Sequence, residues 1–235
     1  MHSTHQDCRQ ELALANHILA NEGILDAFGH VSVRHPGRSG NFLLSVSCAP
    51  ELVRPDDIVE YGPDSEPVEP LSAAQYSERY IHGEIYRLRP DVQAICHHHS
   101  PAVMPFCITG RPLVPVYQHG ALIGGQVPLW DSRDEFGDTN LLVVNAQQGA
   151  SLARAMGDAW IVLMRHHGAT VSGVSLREMV FRAVAASRNA ELLYRALALG
   201  DAPGLTAGEI QRASQLPPAA IDRAWGLWSR RVAQD

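Results

Sequence analysis

Lysine is missing from this sequence: all 19 of its basic residues are arginines. Schiff-base chemistry needs a lysine amine, so lysine-dependent aldolases and pyridoxal-phosphate enzymes are excluded. Any reaction that develops a carbanion must use a metal ion or another electrophile to take up the charge. The sequence also lacks a surplus of positive charge, since its formal net charge is −6, and this argues against nucleic acid as a partner.

Long apolar runs and paired cysteines are absent as well. No stretch is long enough to span a bilayer, and residues 1–7 lack the basic and apolar regions of a signal peptide. Cys8, Cys48, Cys96 and Cys107 show no Cys-x-x-Cys spacing, so we expect free thiols. These features predict a cytoplasmic protein without a membrane partner.

What is present indicates one domain over residues 1–235. The sequence is 46% hydrophobic and 19% charged, as in ordinary soluble proteins, and it is long enough to bury a substantial core. Several short strands with helices at both ends favour a single α/β fold. We expect the C-terminal helices, from about residue 175, to pack on the core or on a neighbouring subunit. The predicted helices are 8–21, 74–88, 147–156, 175–200 and one that begins at 217–218; the predicted strands are 31–33, 41–45, 58–61, 92–96, 113–116, 141–144, 159–164 and 169–171.

Three adjacent histidines, His97, His98 and His99, come directly after the apolar run 92–96. A strand projects alternate side chains to one face, so His97 and His99 should point together while His98 points away. Two neutral imidazoles side by side at the exit of a strand make half of a metal site.

A second pair, His166 and His167, follows the apolar run 159–164 and precedes Gly168. The two clusters together predict a metal held by three histidines, with open positions left for a substrate. Histidine nitrogens suit zinc, manganese, iron or cobalt, and spacing alone does not choose among them. The sequence therefore predicts a metal-dependent enzyme.

Three segments, 78–82 (ERYIH), 89–99 (RPDVQAICHHH) and 163–168 (LMRHHG), resemble in order and spacing the core of the class II aldolase/adducin family. The resemblance runs from the N-terminal helix to about Gly200. It implies a layered α/β/α fold around a largely antiparallel central sheet, with a three-histidine metal site. It also implies a homotetramer with active sites at subunit interfaces.

Carried over by position, the resemblance implies that the metal ligands are His97, His99 and His167. In the same motifs His98 and His166 are not ligands. Glu78 falls on the family's acid/base glutamate. A three-histidine metal leaves positions for a substrate with two adjacent oxygens, and a nearby acid must then deliver a proton after a carbon–carbon bond breaks.

The substrate side of the resemblance differs from the family's phospho-sugar aldolases. Those enzymes carry Gly-Asn near the end of the first strand region and a glycine-containing phosphate loop. Here the first becomes GHVS at 29–32 and the second becomes SVSCAP at 45–50, with no glycine whose backbone could wrap an anion. The segments 29–34, 49–53 and 81–86 instead resemble the decarboxylase-like branch, which includes enzymes acting on dihydroxyphthalate and hydroxypyridine-dicarboxylate.

Three residues are candidates for substrate binding. His30 and Ser47 would lie where the phosphate loop lies in the aldolases, and they could bind a carboxylate. His119 is a further candidate, with a structural histidine in a turn as the alternative.

We therefore expect a divalent-metal-dependent carbon–carbon lyase that decarboxylates an ortho-hydroxylated aromatic carboxylate in aromatic catabolism, with Zn²⁺ or Mn²⁺ as the first choices of metal and Fe²⁺ or Co²⁺ as others. Its partner would be a small hydroxy-carboxylate substrate. One alternative is an aldolase that cleaves a non-phosphorylated hydroxy-keto acid with the same metal and Glu78. Others are an iron-dependent oxygenase, since three histidines also hold ferrous iron, and a non-catalytic adducin-like module. The presence of all three ligand positions and Glu78 argues against the module.

Overall fold

A computed structural model describes residues 5–233 of the chain, with side chains from residue 8 onward. The strands are β1 (His30–Arg34), β2 (Phe42–Ser45), β3 (Ile58–Tyr61), β4 (Ala94–His98), β5 (Leu129–Trp130), β6 (Ile161–Met164) and β7 (Gly168–Gly173). They form one seven-stranded sheet in the order β3-β2-β1-β4-β7-β6-β5. Every neighbouring pair is antiparallel except β5 with β6. The predicted α/β fold around a largely antiparallel sheet is confirmed.

The helices are α1 (His5–Asn21), α2 (Arg79–Leu88), α3 (Met104–Thr109), α4 (Arg133–Phe136), α5 (Ala146–Met156), α6 (Leu176–Leu197), α7 (Ala207–Ala213) and α8 (Pro218–Val232). Helix α6 begins where the sequence predicts, because the Ser175 side chain accepts a hydrogen bond from the backbone N–H of Glu178. Within the described part of the chain, none of the helices has the length and apolar character needed to cross a membrane.

Helices cover both faces of the sheet, because inner strands such as β4 present apolar residues to both sides. On one face, Cys96 packs in a cluster with α1, α6 and α8. On the other face, Ile95 packs in a cluster with α2 and α5. His97 therefore shares the α2–α5 side of the sheet with Ile95, whereas His98 shares the opposite side with Cys96. Helices α6 and α8 contact α1 of the same chain; the single domain and a neighbouring subunit stay predictions.

The predicted strand 113–116 is wrong. The Asn189 side chain on α6 accepts a hydrogen bond from the N–H of Val116 at 2.8 Å and donates one to the carbonyl of Val114 at 2.8 Å. An apolar, β-branched segment fits a strand by composition, but its backbone groups are satisfied here by a side chain from a distant helix.

The predicted strand 141–144 is also wrong, for a similar reason. The backbone N–H of Val143 donates to Glu78 Oε1 at 3.0 Å instead of to a neighbouring strand. The predicted helix 74–88 begins only at Arg79, directly after that glutamate. Both departures from the expected structure thus place Glu78 in a fixed position ahead of α2.

Candidate active site

Three neighbouring strands place polar residues in one row across the sheet. His30 of β1 pairs with His97 of β4, and His97 pairs with Thr170 of β7. Residues directly opposite one another on paired strands point to the same face, so all three lie on the side covered by α2. His98 points away, as predicted, and its Nδ1 accepts a hydrogen bond from the backbone N–H of Ser100.

The tight hairpin between β6 and β7 brings His167 beside His99. His166, in the turn, has a positive φ of 58°, which is the left-handed region that a turn of this kind requires. Gly168 follows because a Cβ there would lie 2.5 Å from the carbonyl oxygen of His98 and 2.8 Å from His99 Cδ2. Only a glycine lets the hairpin approach the end of β4 this closely.

The Nε2 atoms of the three predicted ligands face a common point. His97 Nε2 lies 3.1 Å from His99 Nε2, and Glu78 Oε2 lies 3.6 Å from His97 Nε2 and 3.5 Å from His167 Nε2. The four donor atoms all lie within 4.8 Å of one another. Ligands that share a tetrahedral ion at about 2.1 Å are about 3.4 Å apart, so this donor set fits a divalent metal. The structure thus brings Glu78 and the three histidines together.

The second ring nitrogens of two of these histidines are held by oxygen atoms. His99 Nδ1 lies 3.1 Å from each carboxylate oxygen of Asp26, and His97 Nδ1 lies 3.3 Å from Thr170 Oγ1. Such partners orient the ring and leave the lone pair of Nε2 for a metal. Sequence reasoning missed both Asp26 and Thr170, since neither belongs to a metal-binding pattern.

Glu78 is buried, with one oxygen fixed and the other in the cluster. Its Oε1 accepts the backbone N–H of Val143 at 3.0 Å, which turns Oε2 toward the histidines. A carboxylate in this position can complete the ligand set, and it can also give or take a proton at Oε2.

A cavity of about 720 Å³ opens over this cluster. His30 and Ser47 line it together with Glu78, as predicted, and so do His99 and His167. The other lining residues come from loops at 27–28, 48–49, 75–77, 140–142 and the β6–β7 turn. None of the described lining residues is an arginine.

His30 is buried between Tyr76 and His82. Its ring centroid lies 4.5 Å from that of Tyr76, and its Nδ1 lies 2.7 Å from His82 Nε2. Burial, and then the nearby histidines, lower the pKa of His30 well below its ordinary value. His30 is therefore neutral at physiological pH, and its Nε2 has no hydrogen-bond partner among residues 8–233.

His119 is not part of this cavity. It lies beside Phe181 and Tyr117, with ring centroids 5.5 and 5.9 Å away. These residues line a separate cavity of about 670 Å³ between α6 and α8. Within one chain, His119 therefore does not meet the metal cluster, and its role in substrate binding stays a prediction.

The chain matches a known family over most of its length: residues 10–194 match the family described as Class II Aldolase and Adducin N-terminal domain. The decarboxylase tropJ of Talaromyces stipitatus is 38% identical in an alignment 240 positions long, which covers 92% of this chain and 90% of that protein. The 3,4-dihydroxyphthalate decarboxylase of Arthrobacter keyseri is 32% identical over 215 residues, with coverages of 85% and 82%.

A solved structure supports the same architecture. The L-fuculose 1-phosphate aldolase from Glaciozyma antarctica PI12 superposes with a TM-score of 0.81 and covers 100% of this chain and 93% of its own. Its sequence identity is 20%, so this likeness establishes the fold alone.

Proposed function

This chain belongs to the class II aldolase and adducin family, and from that premise we propose that it decarboxylates an ortho-hydroxylated aromatic carboxylate with a divalent metal. The relatives are named decarboxylases, one of them for 3,4-dihydroxyphthalate, and the prediction of an enzyme of the lyase class is confirmed. The observation that carries the proposal is the convergence of three imidazole Nε2 atoms and a carboxylate oxygen at the floor of one cavity.

His97, His99 and His167 would hold the ion through Nε2. When bound, a divalent ion supplies a Lewis acid that draws negative charge away from the substrate ring. The burial of His97 and the contact of His99 with Asp26 hold these nitrogens in place. The protein thereby stabilises charge that develops during the reaction without having to rearrange.

Glu78 would supply the proton. When the bond between the ring and the departing carboxylate breaks, its electron pair stays on the ring carbon, and a proton must take the place of carbon dioxide. Glu78 holds that proton at Oε2, because Oε1 is engaged by the N–H of Val143. After donation Glu78 is a carboxylate, and a proton from the substrate hydroxyl or from water restores its carboxylic acid form.

The walls of the cavity favour a carboxylate over a phosphate ester. His30 and Ser47 offer neutral donors that suit the oxygens of a second carboxylate on the ring. The loop at 45–50 lacks the glycine that would let consecutive backbone N–H groups wrap a phosphate. The homotetramer and the cytoplasmic location stay predictions.

The test is a screen of the zinc- and manganese-loaded protein for carbon dioxide release from 3,4-dihydroxyphthalate and other hydroxylated aromatic acids. Hydroxy-keto acids are run in parallel for pyruvate release, and the iron-loaded protein for oxygen uptake. Glu78→Gln should retain metal and lose about 10²–10⁴-fold in turnover. Glu69→Gln, an exposed glutamate away from the cluster, is the matched control.

Each outcome points to one function. Carbon dioxide release that depends on Glu78 supports the decarboxylase. Pyruvate release without carbon dioxide release indicates an aldolase. Oxygen uptake with iron would indicate an oxygenase. A fully active Glu78→Gln variant would refute the assigned role, and purified protein without stoichiometric metal would remove the basis of all three enzymes.

A further inference from the structure

A line of buried polar side chains leads away from the cavity, between strand β1 and helix α2. His30 Nδ1 lies 2.7 Å from His82 Nε2, and His82 Nδ1 lies 2.6 Å from Ser32 Oγ. Ser32 Oγ lies 2.8 Å from the hydroxyl oxygen of Tyr86. All four side chains are buried, and of the four only His30 lines the cavity. We name these four residues the β1–α2 network.

The matching repeats of a strand and a helix place these residues opposite one another. Residues two apart on a strand share a face and are about 6.6 Å apart, and residues four apart on a helix share a face and are about 6 Å apart. His30 and Ser32 are such a pair on β1, and His82 and Tyr86 are such a pair on α2. The GHVS and IHGEIY motifs of the sequence thus contribute the two sides of one network.

The direction of these hydrogen bonds follows from counting protons. The Tyr86 hydroxyl has one proton, and Ser32 Oγ is its only acceptor among the described residues. Ser32 then donates its own proton to His82 Nδ1, because a buried hydroxyl without an acceptor is strongly disfavoured. Burial lowers the pKa of His82 to about 3, so this ring is neutral and carries its single proton on Nε2.

His82 Nε2–H donates to His30 Nδ1, so His30 Nδ1 carries a lone pair. The proton of the neutral His30 ring is therefore on Nε2, the nitrogen left for the cavity. Reversing the bonds would leave the Tyr86 hydroxyl proton without an acceptor. This tautomer is the opposite of that expected for His97 and His99, whose Nδ1 atoms are held by oxygen.

We infer that the β1–α2 network fixes His30 as a hydrogen-bond donor to a substrate carboxylate and keeps it from becoming a fourth histidine ligand. A nitrogen that carries a proton has no lone pair for a metal, although the ring centroids of His30 and His97 are only 5.1 Å apart. The choice of a carboxylate as acceptor rests on the proposed function, whereas the tautomer does not. Ser32, His82 and Tyr86 are positioning residues, since they act through His30.

Nitrogen-15 NMR of the zinc-loaded protein, labelled at histidine, reads the tautomer directly through its two-bond couplings to the ring protons. The His30 signal is identified by its loss in His30→Asn. We expect the Nε2–H form for both His30 and His82 in the wild-type protein. An Nδ1–H ring at His30, or a signal averaged between the two forms, would overturn the inference whatever the substrate is.

Two substitutions at His82 form a matched pair. Glutamine can donate to His30 and accept from Ser32, so His82→Gln should preserve the Nε2–H form of His30. Methionine has no donor and accepts only weakly. The His30 ring in His82→Met should therefore no longer be held in the Nε2–H form. Titration with phthalate should show about tenfold weaker binding to His82→Met than to His82→Gln, with equal zinc content in both.

The outcomes distinguish a failure of the inference about His30 from a failure of the proposed decarboxylase function, which supplies the carboxylate acceptor. Equal phthalate affinities in the two variants would overturn the donor role of His30. A wild-type protein that shows the Nε2–H form but does not bind phthalate would contradict the proposed substrate class and support the fixed tautomer.

Discussion

Asp26→Asn tests whether the carboxylate behind His99 belongs to the metal centre. Asp26 reaches His99 Nδ1 with both oxygens at 3.1 Å, and its Oδ1 also accepts the N–H groups of Phe28 at 2.9 Å and Gly29 at 3.0 Å. Partial burial raises the pKa of Asp26, but the hydrogen bonds from Phe28 and His99 lower it further, so the pKa lies below its ordinary value. Asp26 is therefore ionised at neutral pH. Asparagine has the same shape as aspartate and keeps one oxygen that can accept the N–H groups of Phe28 and Gly29. It removes the negative charge.

The magnitude follows from the exposure of the side chain. Outer-shell partners of ligand histidines are worth about 10–100-fold in metal affinity, or about 1.4–2.8 kcal/mol. The Asp26 side chain is 47% exposed, and solvent screens a charge at that exposure. The lower end therefore applies, and we expect Asp26→Asn to weaken zinc binding about tenfold.

The assay is competition for zinc against a chromophoric chelator, at fixed pH and salt. Asp134→Asn, which removes an exposed carboxylate from α4, controls for the loss of one negative charge. Circular dichroism of the metal-free proteins shows whether the substitution at Asp26 has altered the fold. A zinc Kd that is unchanged in Asp26→Asn, or weakened equally in Asp134→Asn, would refute the assignment of Asp26 to the metal centre.

Three further predictions concern stability. Gly168→Ala, whose Cβ would lie 2.5 Å from the His98 carbonyl oxygen, should lower the free energy of unfolding by about 1–3 kcal/mol in urea. Removing the metal with a chelator should lower Tm, because zinc at 100 times its Kd stabilises by about 2.7 kcal/mol, or about 5–10 °C for a chain of this length. Finally, the folded pKa of His82 is about 3 against about 6.5 when unfolded, so the unfolded state takes up the proton and stability falls as the pH falls through that window. His82→Gln should reduce the slope of unfolding free energy against pH by about 1.4 kcal/mol per unit between about pH 6 and 4, measured in metal-free protein.

Each of these predictions has a control within the chain. A Cβ at Gly226 in α8 meets nothing within 4 Å, so Gly226→Ala should be neutral or slightly stabilising; an equal loss at both glycines would contradict the proposed clash at Gly168. The chelator effect should disappear in His97→Ala. Parallel pH dependences for the wild type and His82→Gln would contradict a buried neutral His82.

The parts of the site that were predictable from the sequence depend on local periodicity. A strand alternates its side chains whatever surrounds it, so the shared face of His97 and His99 and the opposite face of His98 follow from the sequence alone. The position of Glu78 and the choice of His167 over His166 came from the family resemblance. Their meeting in the structure also depends on the β6–β7 hairpin, a short-range feature. It depends as well on the start of α2, which the sequence predicted five residues too early.

The parts that were not predictable depend on contacts between distant segments. Asp26 lies in a loop and meets His99 across 73 positions in the sequence, because the pairing of β1 with β4 brings them together. The β1–α2 network likewise joins Ser32 to residues at least 50 positions away. Strand register and helix docking decide these contacts, and no local pattern encodes either.

The sheet and the loops contribute different parts of the site, and the loops carry the residues that can distinguish one lyase from another. His97 is held by the sheet, where a one-residue slip of β4 would turn it to the opposite face. The walls of the cavity come instead from loops at 47–49, 75–77 and 140–142, which can vary without disturbing the sheet. His30 is the exception, since it lies beside His97 on the sheet and also lines the cavity. A neutral, fixed donor at that position would suit the proposed decarboxylase, because it would bind a carboxylate without competing for the metal.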